Sequence, residues 1–401
     1  MCADGVNLVN RDPRSDSGAP GARPAPGIPG TSALIEACVA AAADGLVVVG
    51  TDTIYSLATR ASPEGIARLA MARRAMQASP VQAPSTWHAP TPDHVLRALP
   101  SLTARHRWVI SKLWPGPFTL MLPMLERDAL PMRAAGLEPA VVDDTRHVFA
   151  RVPASGVFSD MLHRAPWPVI AEKLRVSPAD DSVAVDLASA LAALVRAGIS
   201  PAHTLESTSP ALGRQSAIIR LQRDGSWELI RASVFDRAYV LRLLARRVLF
   251  VCTGNTCRSP MAQAIASGLW AKTSEQGDAN AGVEAGYPMV ASSAGLHAEL
   301  GSAPTREGVA AVRALGFAPP SGTAHALTPL MLREADAIYT MTRSHLNAVL
   351  KLEPSVAGKA SVLDPSGDDI PDPLGGPARH YASLAVAMRD MITRRLQEFG
   401  T

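Results

Sequence analysis

The sequence predicts an α/β protein built from two domains, on three observations. At 401 residues the chain is too long for one ordinary core. Its 47% hydrophobic and 19% charged residues fit packed globular units and argue against wholesale disorder. Short strand-like apolar runs alternate with helical patterns, broken by Pro and Gly, and a fresh strand–loop–helix unit starts near residue 247.

Residues 1–30 are rich in Gly, Pro, Ala, Ser and Asp and end in GAPGARPAPGIPG. Such a composition buries too little surface to fix a fold, so a flexible leader is expected there. SALIEACVAAAADG predicts an amphipathic helix ending at Gly45, and LVVVGTDTIYSLATR a strand that runs into a loop. WPGPFTLMLPM and HVFARVPASG are short strands with Pro and Gly punctuation, followed by a second helix-rich stretch. SAIIRL and SWELIRASV form a strand pair around the turn Arg223-Asp224-Gly225. FDRAYVLRLLARR is charged and helical, a connector. The expected division is a first domain over 31–235, a linker over 236–246 and a second domain over 247–401, with no internal repeat.

Composition also limits function. A net charge of +3 is too weak in a chain this long to argue for a nucleic-acid or membrane partner. No apolar run approaches the roughly 18 residues of a membrane helix. The opening MCADGVNLVNRDPRSDSGAP lacks an apolar core behind a basic start, so no secretory signal is expected. Cys2, Cys38, Cys252 and Cys257 have no framework spacing, which suits a reducing compartment and a cytoplasmic protein.

The densest chemistry lies in VLFVCTGNTCRSP, residues 248–260. RVLFV is a buried-type strand, TGNT a loop, and SPMAQAIASGLWA a helix opened by Ser259 with Pro260 in its first turn. Backbone N–H groups at such a helix start point inward and the helix dipole favours negative charge. Gly254 and Asn255 let the backbone wrap an oxyanion. Cys252 lies at the head of that cradle, where the same field favours a nucleophilic thiolate. The planar fork of Arg258 can grip two oxygens of a transferring phosphoryl group. Cys252 and Cys257 do not have zinc-site spacing and there is no second cysteine pair, so no metal is expected.

VLFVCTGNTCRSPMA resembles the signature of the low-molecular-weight protein tyrosine phosphatase family, and SSAGL, ADAIYTMT and DPLGG extend the match towards the C-terminus. The resemblance implies a Rossmann-like parallel sheet flanked by helices and a phosphorylated protein as substrate. It also implies a late general acid in an Asp-Pro pair, which DDIPDPLGG supplies as Asp372-Pro373. Asp372 would protonate the leaving atom during attack by Cys252, then deprotonate the water that hydrolyses the phosphocysteine. The earlier Asp364-Pro365 is a rival that reads as a plain turn. By the same analogy Ser259 Oγ bonds the thiolate, Asn255 braces the loop, and Thr253, Gly254, Thr256 and Cys257 complete the phosphate site. A Cys252–Cys257 disulfide would shield the nucleophile from over-oxidation. Arsenate reductases share the fold, but their cysteine relay has no counterpart after Cys257.

Tyrosine phosphatases of this family flank the acid with aromatic rings. Here Leu374, Gly375 and Gly376 follow Pro373, and LHAELGSAP offers His297 but no aromatic ring outside it. Thr256 with DPxGG resembles the bacterial protein-arginine phosphatases instead, with Leu374 as the departure. The expected preference is phosphoarginine over phosphotyrosine.

The first domain resembles YrdC-like threonylcarbamoyl-AMP synthases through GLVVVGTDTIYSLAT, WPGPFTLML, FARVPA, SAIIRL and LIRASV, which implies a twisted α/β sheet. Arg151 and the turn Thr51-Asp52-Thr53 would then face a small amino acid or phosphate. The departures fall at the chemistry. The family's Lys-x-Arg is Arg73-Arg74-Ala75, its Ser-Ala-Asn is replaced by EKLR, its late Ser-Thr is Ser216-Ala217, and its Gly after TDTIY is Ser56. The expectation is a retained fold with degraded synthase activity and no cofactor. ATP as cofactor and tRNA as eventual partner follow only under the alternative, a bifunctional chain whose synthase half still works.

Overall fold

The computed structural model describes residues 31–76, 84–137, 141–154, 156–177, 182–207, 212–274 and 287–400. The leader expected over residues 1–30 lies outside them. The first part of the chain runs α1 (Thr31–Asp44), β1 (Val47–Gly50), β2 (Tyr55–Arg60), α2 (Pro63–Ala75), β3 (Thr86–His88), α3 (Pro92–Ala98) and α4 (Ala104–Leu113). It continues through β4 (Phe118–Pro123), α5 (Ala129–Ala134), β5 (His147–Arg151), α6 (Val157–Arg164) and β6 (Val169–Lys173). It closes with α7 (Leu187–Ala197), β7 (His203–Leu205), β8 (Ala217–Leu221), β9 (Trp227–Arg231) and α8 (Arg237–Leu243).

Among the described residues these strands form one mixed sheet in the order β7-β1-β2-β6-β3-β5-β4-β8-β9. LVVVGTDTIYSLATR is two strands rather than one. β1 and β2 pair antiparallel because Thr51 closes the turn between them, its Oγ1 donating to the Ile54 carbonyl at 2.7 Å. β8 and β9 pair antiparallel across the predicted turn, where Gly225 takes φ +84°, a conformation costly for any residue with a Cβ. Leu57, Trp87, Leu120 and Trp227 are buried in the main core on this sheet.

FDRAYVLRLLARR is helical, as its pattern predicts, and it is packed. Val240 and Leu244 are fully buried against the core of the first sheet. Arg246 already belongs to the next strand.

The second part runs β10 (Arg246–Cys252), α9 (Arg258–Ser274), β11 (Met289–Gly295), α10 (Arg306–Ala314) and α11 (Pro329–Glu334). It continues through β12 (Ala337–Thr340), α12 (Arg343–Leu352), β13 (Ala360–Val362) and α13 (Ala378–Gly400). Its four strands are all parallel in the order β11-β10-β12-β13. β10 is buried along nearly its whole length, as a central parallel strand covered by helices on both faces must be. The connection from β10 runs to β11 on one side and that from its neighbour β12 runs to β13 on the other, so the carboxyl end of β10 opens at a topological switch point. Cys252 is the last residue of that strand.

The two sheets meet at the amino ends of the parallel strands. Lys112 of α4 forms an ion pair with Asp336, the residue before β12. The Tyr287 hydroxyl donates to the Gly225 carbonyl at 2.6 Å, and its ring packs edge-on against Trp108 with centroids 4.6 Å apart. The Arg246 guanidinium lies 4.9 Å above the Trp108 ring. Burial pushes the Tyr287 phenol up to about 12.

Candidate active site

Strand β10 delivers Cys252 to the switch point, and helix α9 begins six residues later at Arg258, one residue before the start the sequence predicts. The intervening loop must reverse within five residues. Asn255 makes this reversal at φ +53°, in the left-handed region that asparagine tolerates better than most residues. Its side chain then fixes the loop from three directions. Nδ2 donates to Ser259 Oγ and Ser293 Oγ, both at 2.9 Å, while Oδ1 accepts the His325 N–H at 2.8 Å. Ser293 Oγ in turn donates to Gln263 Oε1 at 2.7 Å.

This scaffold aims donors at the thiol. Ser259 Oγ lies 2.9 Å from Cys252 Sγ, and the Asn255 N–H donates to the sulfur at 3.3 Å. Thr253 holds its carbonyl outward, accepting the His297 N–H at 2.9 Å. Because the peptide is planar and trans, the Gly254 N–H then points the opposite way, into the cradle. β11 approaches this loop closely. A Cβ on Gly295 would fall 2.6 Å from the Thr253 carbonyl oxygen and 2.9 Å from Asn255 N, so only glycine fits.

Arg258 crosses to the other wall. One terminal N–H donates to the Ile370 carbonyl at 3.0 Å and the other to Asp372 Oδ2 at 2.6 Å. Its Nε is buried and has no hydrogen-bond partner among the described residues. A buried guanidinium N–H without a partner is costly, and an oxyanion in the cradle would satisfy it. Asp372 is half exposed at the rim, its Oδ1 accepting the Leu374 N–H at 3.2 Å. The rival Asp364 caps its own turn, accepting the Ser366 N–H at 2.8 Å.

The structure therefore brings Cys252, Asn255, Arg258, Ser259 and Asp372 together, with Thr253, Gly254, Thr256 and Cys257 in the loop between them. Cys257 is buried, its sulfur 3.8 Å from the Tyr381 hydroxyl; burial and this thiol push the Tyr381 phenol up. Sequence reasoning assigned no role to Ser293, Gly295, Gln263, His325, His345 or Tyr381. Only Ser293 and Gly295 carried a signal, lying within SSAGL.

His345 flanks the same loop. It is buried on α12, with Nε2 2.9 Å from Thr253 Oγ1 and Nδ1 2.9 Å from Thr342 Oγ1. Burial first, then the nearby Arg258 charge, hold its imidazole below the ordinary value and keep it neutral.

A thiol under two donors, a helix-start anion cradle and a buried arginine facing an aspartate define the class of cysteine-dependent phosphatases. Residues 247–400 match the family model for low molecular weight phosphotyrosine protein phosphatases. Residues 40–233 match the Sua5/YciO/YrdC model, described as telomere recombination. A low molecular weight protein-tyrosine-phosphatase of Streptomyces coelicolor is 34% identical over 142 residues, covering 32% of this chain and 79% of the relative. A protein-arginine-phosphatase of Geobacillus stearothermophilus is 29% identical over 162 residues, covering 39% of this chain and 97% of the relative. The phosphatase PtpB of Staphylococcus epidermidis is 28% identical over 151 residues, covering 37% and 95%. Through its C-terminal part the chain belongs to the low molecular weight phosphotyrosine protein phosphatase family, whose members hydrolyse phosphoester or phosphoamide bonds.

The first domain has its own cavity, of about 230 Å³, lined by Thr53, Arg73, Arg151, Glu172, Lys173 and Ser216 among others. Arg73 forms an ion pair with Glu172, and Arg151 with Asp52. Arg151 also donates to Thr53 Oγ1 at 2.8 Å, and Ser216 Oγ lies 2.8 Å from Thr119 Oγ1. Residues 77–83, which follow Arg73-Arg74-Ala75, lie outside the described residues.

Proposed function

We propose that the chain hydrolyses phosphorylated proteins through a phosphocysteine intermediate on Cys252, with phosphoarginine preferred over phosphotyrosine. The observation that carries this reading is the convergence of Cys252, Arg258 and Asp372 on one cradle with an unpartnered buried Arg258 Nε. The Cys252 thiolate attacks phosphorus as the bond to the leaving nitrogen or oxygen breaks, and a protonated Asp372 gives its proton to that atom. Water then attacks phosphorus, the S–P bond breaks and Asp372 takes the water proton. Cradle N–H groups and Arg258 stabilise the charge that builds on the equatorial oxygens in both steps.

Leu374, which follows the Asp372-Pro373 pair, is 65% exposed and gives a phenyl ring no stacking partner, which argues against tyrosine but departs from the arginine enzymes as well. One feature favours the guanidinium. Thr256, partly buried at the middle of the loop, offers a hydroxyl where tyrosine phosphatases of the family carry an aliphatic side chain. Rates of the full chain on phosphoarginine and phosphotyrosine peptides test the preference, and faster tyrosine turnover would sink it. Cys252→Ser should lose turnover on both substrates; retained turnover would overturn the mechanism.

We further infer that the first domain has lost synthase activity. Glu172 stands where the family's Ser-Ala-Asn is expected, and its carboxylate takes the Arg73 guanidinium that would otherwise meet ATP phosphates. Calorimetric titration with ATP and threonine should show no tight binding and no pyrophosphate release. Release of pyrophosphate would favour the bifunctional reading, with tRNA as eventual partner.

A further inference from the structure

The acid Asp372 and the nucleophile Cys252 sit on separate loops, 120 residues apart in sequence, and catalysis requires them in fixed register. Arg258 ties the two loops directly, through the Ile370 carbonyl and through Asp372. An incoming phosphoryl group must compete for that same guanidinium, so the contact cannot by itself hold the register during turnover. Something else must hold the loops.

The first turn of α12 touches both. On the cradle side, His345 Nε2 lies 2.9 Å from Thr253 Oγ1, on the residue that follows the nucleophile. On the acid side, the Arg343 N–H donates to Asp369 Oδ1 at 2.7 Å and its Nε donates to the Gly367 carbonyl at 2.9 Å. The turn is itself fixed. Thr342 caps it by accepting the His345 N–H at 3.2 Å, and the same Oγ1 lies 2.9 Å from His345 Nδ1. Just before it, the Met341 carbonyl accepts the Ile370 N–H at 2.8 Å, and the Ile370 carbonyl is the one Arg258 holds. A single rigid helical turn thus grips the acid loop two to five residues before Asp372 and the cradle one residue after Cys252.

We propose that the first turn of α12 is a brace that registers the acid loop against the phosphate cradle, with His345 and Arg343 as its two positioning residues. The proposal rests on the phosphatase reading above and adds to it how the two loops keep their spacing when Arg258 changes partners. The two arms act on different parts of the reaction. Loss of the His345 arm frees the Thr253 side chain and with it the peptide that aims the Gly254 N–H, weakening oxyanion binding whatever the leaving group. Loss of the Arg343 arm loosens Asp372 and matters in proportion to how much the leaving group needs a proton.

The test is kcat/KM of the full chain on two aryl phosphates, phenyl phosphate with a poor leaving group and 2,4-dinitrophenyl phosphate with a good one, together with inhibition by orthovanadate. Arg343→Ala should lower kcat/KM on phenyl phosphate by roughly tenfold, the scale of one lost hydrogen bond, and change the dinitrophenyl ester by less than about twofold. His345→Ala should lower both esters equally, again roughly tenfold, and weaken vanadate inhibition by a similar factor. His345→Gln, which returns an amide near the Nε2 position, should recover most of that loss, and Arg343→Lys guards against misfolding of the alanine variant. Equal effects of Arg343→Ala on both esters, or unchanged vanadate inhibition in a folded His345→Ala, overturn the brace. Wild-type chain with no turnover of either ester sinks the phosphatase reading and the brace with it; turnover lost in Cys252→Ser but indifferent to both arms sinks the brace alone.

Discussion

Asn255 does more for the cradle than any other side chain that leaves the chemistry to others. It supplies the positive φ of the reversal and three hydrogen bonds that tie α9, β11 and the segment before α11 to one point. Asn255→Ala keeps the backbone charge-neutral but strands Ser259, Ser293 and the His325 N–H. It should cost about 1–3 kcal/mol of stability, read by urea unfolding, and lower kcat further than it raises KM. Asn255→Asp should be worse for activity than for folding, since a carboxylate beside the cradle repels the phosphoryl oxygens it must hold. His88 gives a second residue-scale test. Burial, followed by the Arg151 charge, depresses its imidazole to about 3 in the folded chain. Between that value and the ordinary 6.5, the unfolded chain binds a proton that the folded one refuses. Stability from this group is therefore complete above pH 6.5 and falls by about 1.4 kcal/mol per pH unit as the solution is acidified. His88→Gln should flatten the pH dependence of urea unfolding between pH 6.5 and 5; an unchanged slope would refute the buried neutral ring.

At the scale of elements, the part of the site legible in the sequence is the part that is local. β10, its loop and the start of α9 fit within fifteen residues, so strand pattern, turn formers and Ser-Pro helix start could be seen together with Cys252 and Arg258. Asp372 was legible only because Asp-Pro-x-Gly-Gly resembles a known loop. Ser293, His325 and His345 were not, because what brings them to the cradle is the parallel pairing of β10 with β11 on one side and β12 on the other. Parallel neighbours are joined by long crossovers, so no short window contains both partners. The split of LVVVGTDTIYSLATR into β1 and β2 was missed for the opposite reason, a tight turn without glycine inside one apolar run. β11 carries its own test. Gly295→Ala forces a contact of 2.6 Å on the Thr253 carbonyl, which the backbone must yield to. Activity should fall at least tenfold while the rest of the sheet stays folded, as judged by circular dichroism.

For the whole molecule, the contacts that join the two sheets among the described residues include the Lys112–Asp336 ion pair, the Tyr287–Gly225 hydrogen bond and a stack of Trp108 with Tyr287 and Arg246. Lys112 and Asp336 are both mostly buried, so removing one charge leaves the other poorly solvated. Asp336→Asn combined with Trp108→Ala should weaken the junction by roughly 2–5 kcal/mol and separate one calorimetric unfolding transition into two. Phosphatase kcat of the same variant should stay within about twofold of wild type, because the junction lies at the opposite end of the parallel strands from Cys252. A fall in kcat comparable to that of Asn255→Ala would show the domains to be catalytically linked.

That placement has an electrical consequence. From Arg246 at the junction to Cys252 at the cradle, β10 runs six residue steps, about 20 Å at ~3.3 Å per step. The Debye length at physiological ionic strength is about 8 Å, so charge gained or lost on the exposed surface of the first domain is largely screened in solvent over that distance. Through solvent, then, the first domain's surface charge reaches the phosphatase end weakly, and mechanical contact or bringing a substrate near are the stronger routes.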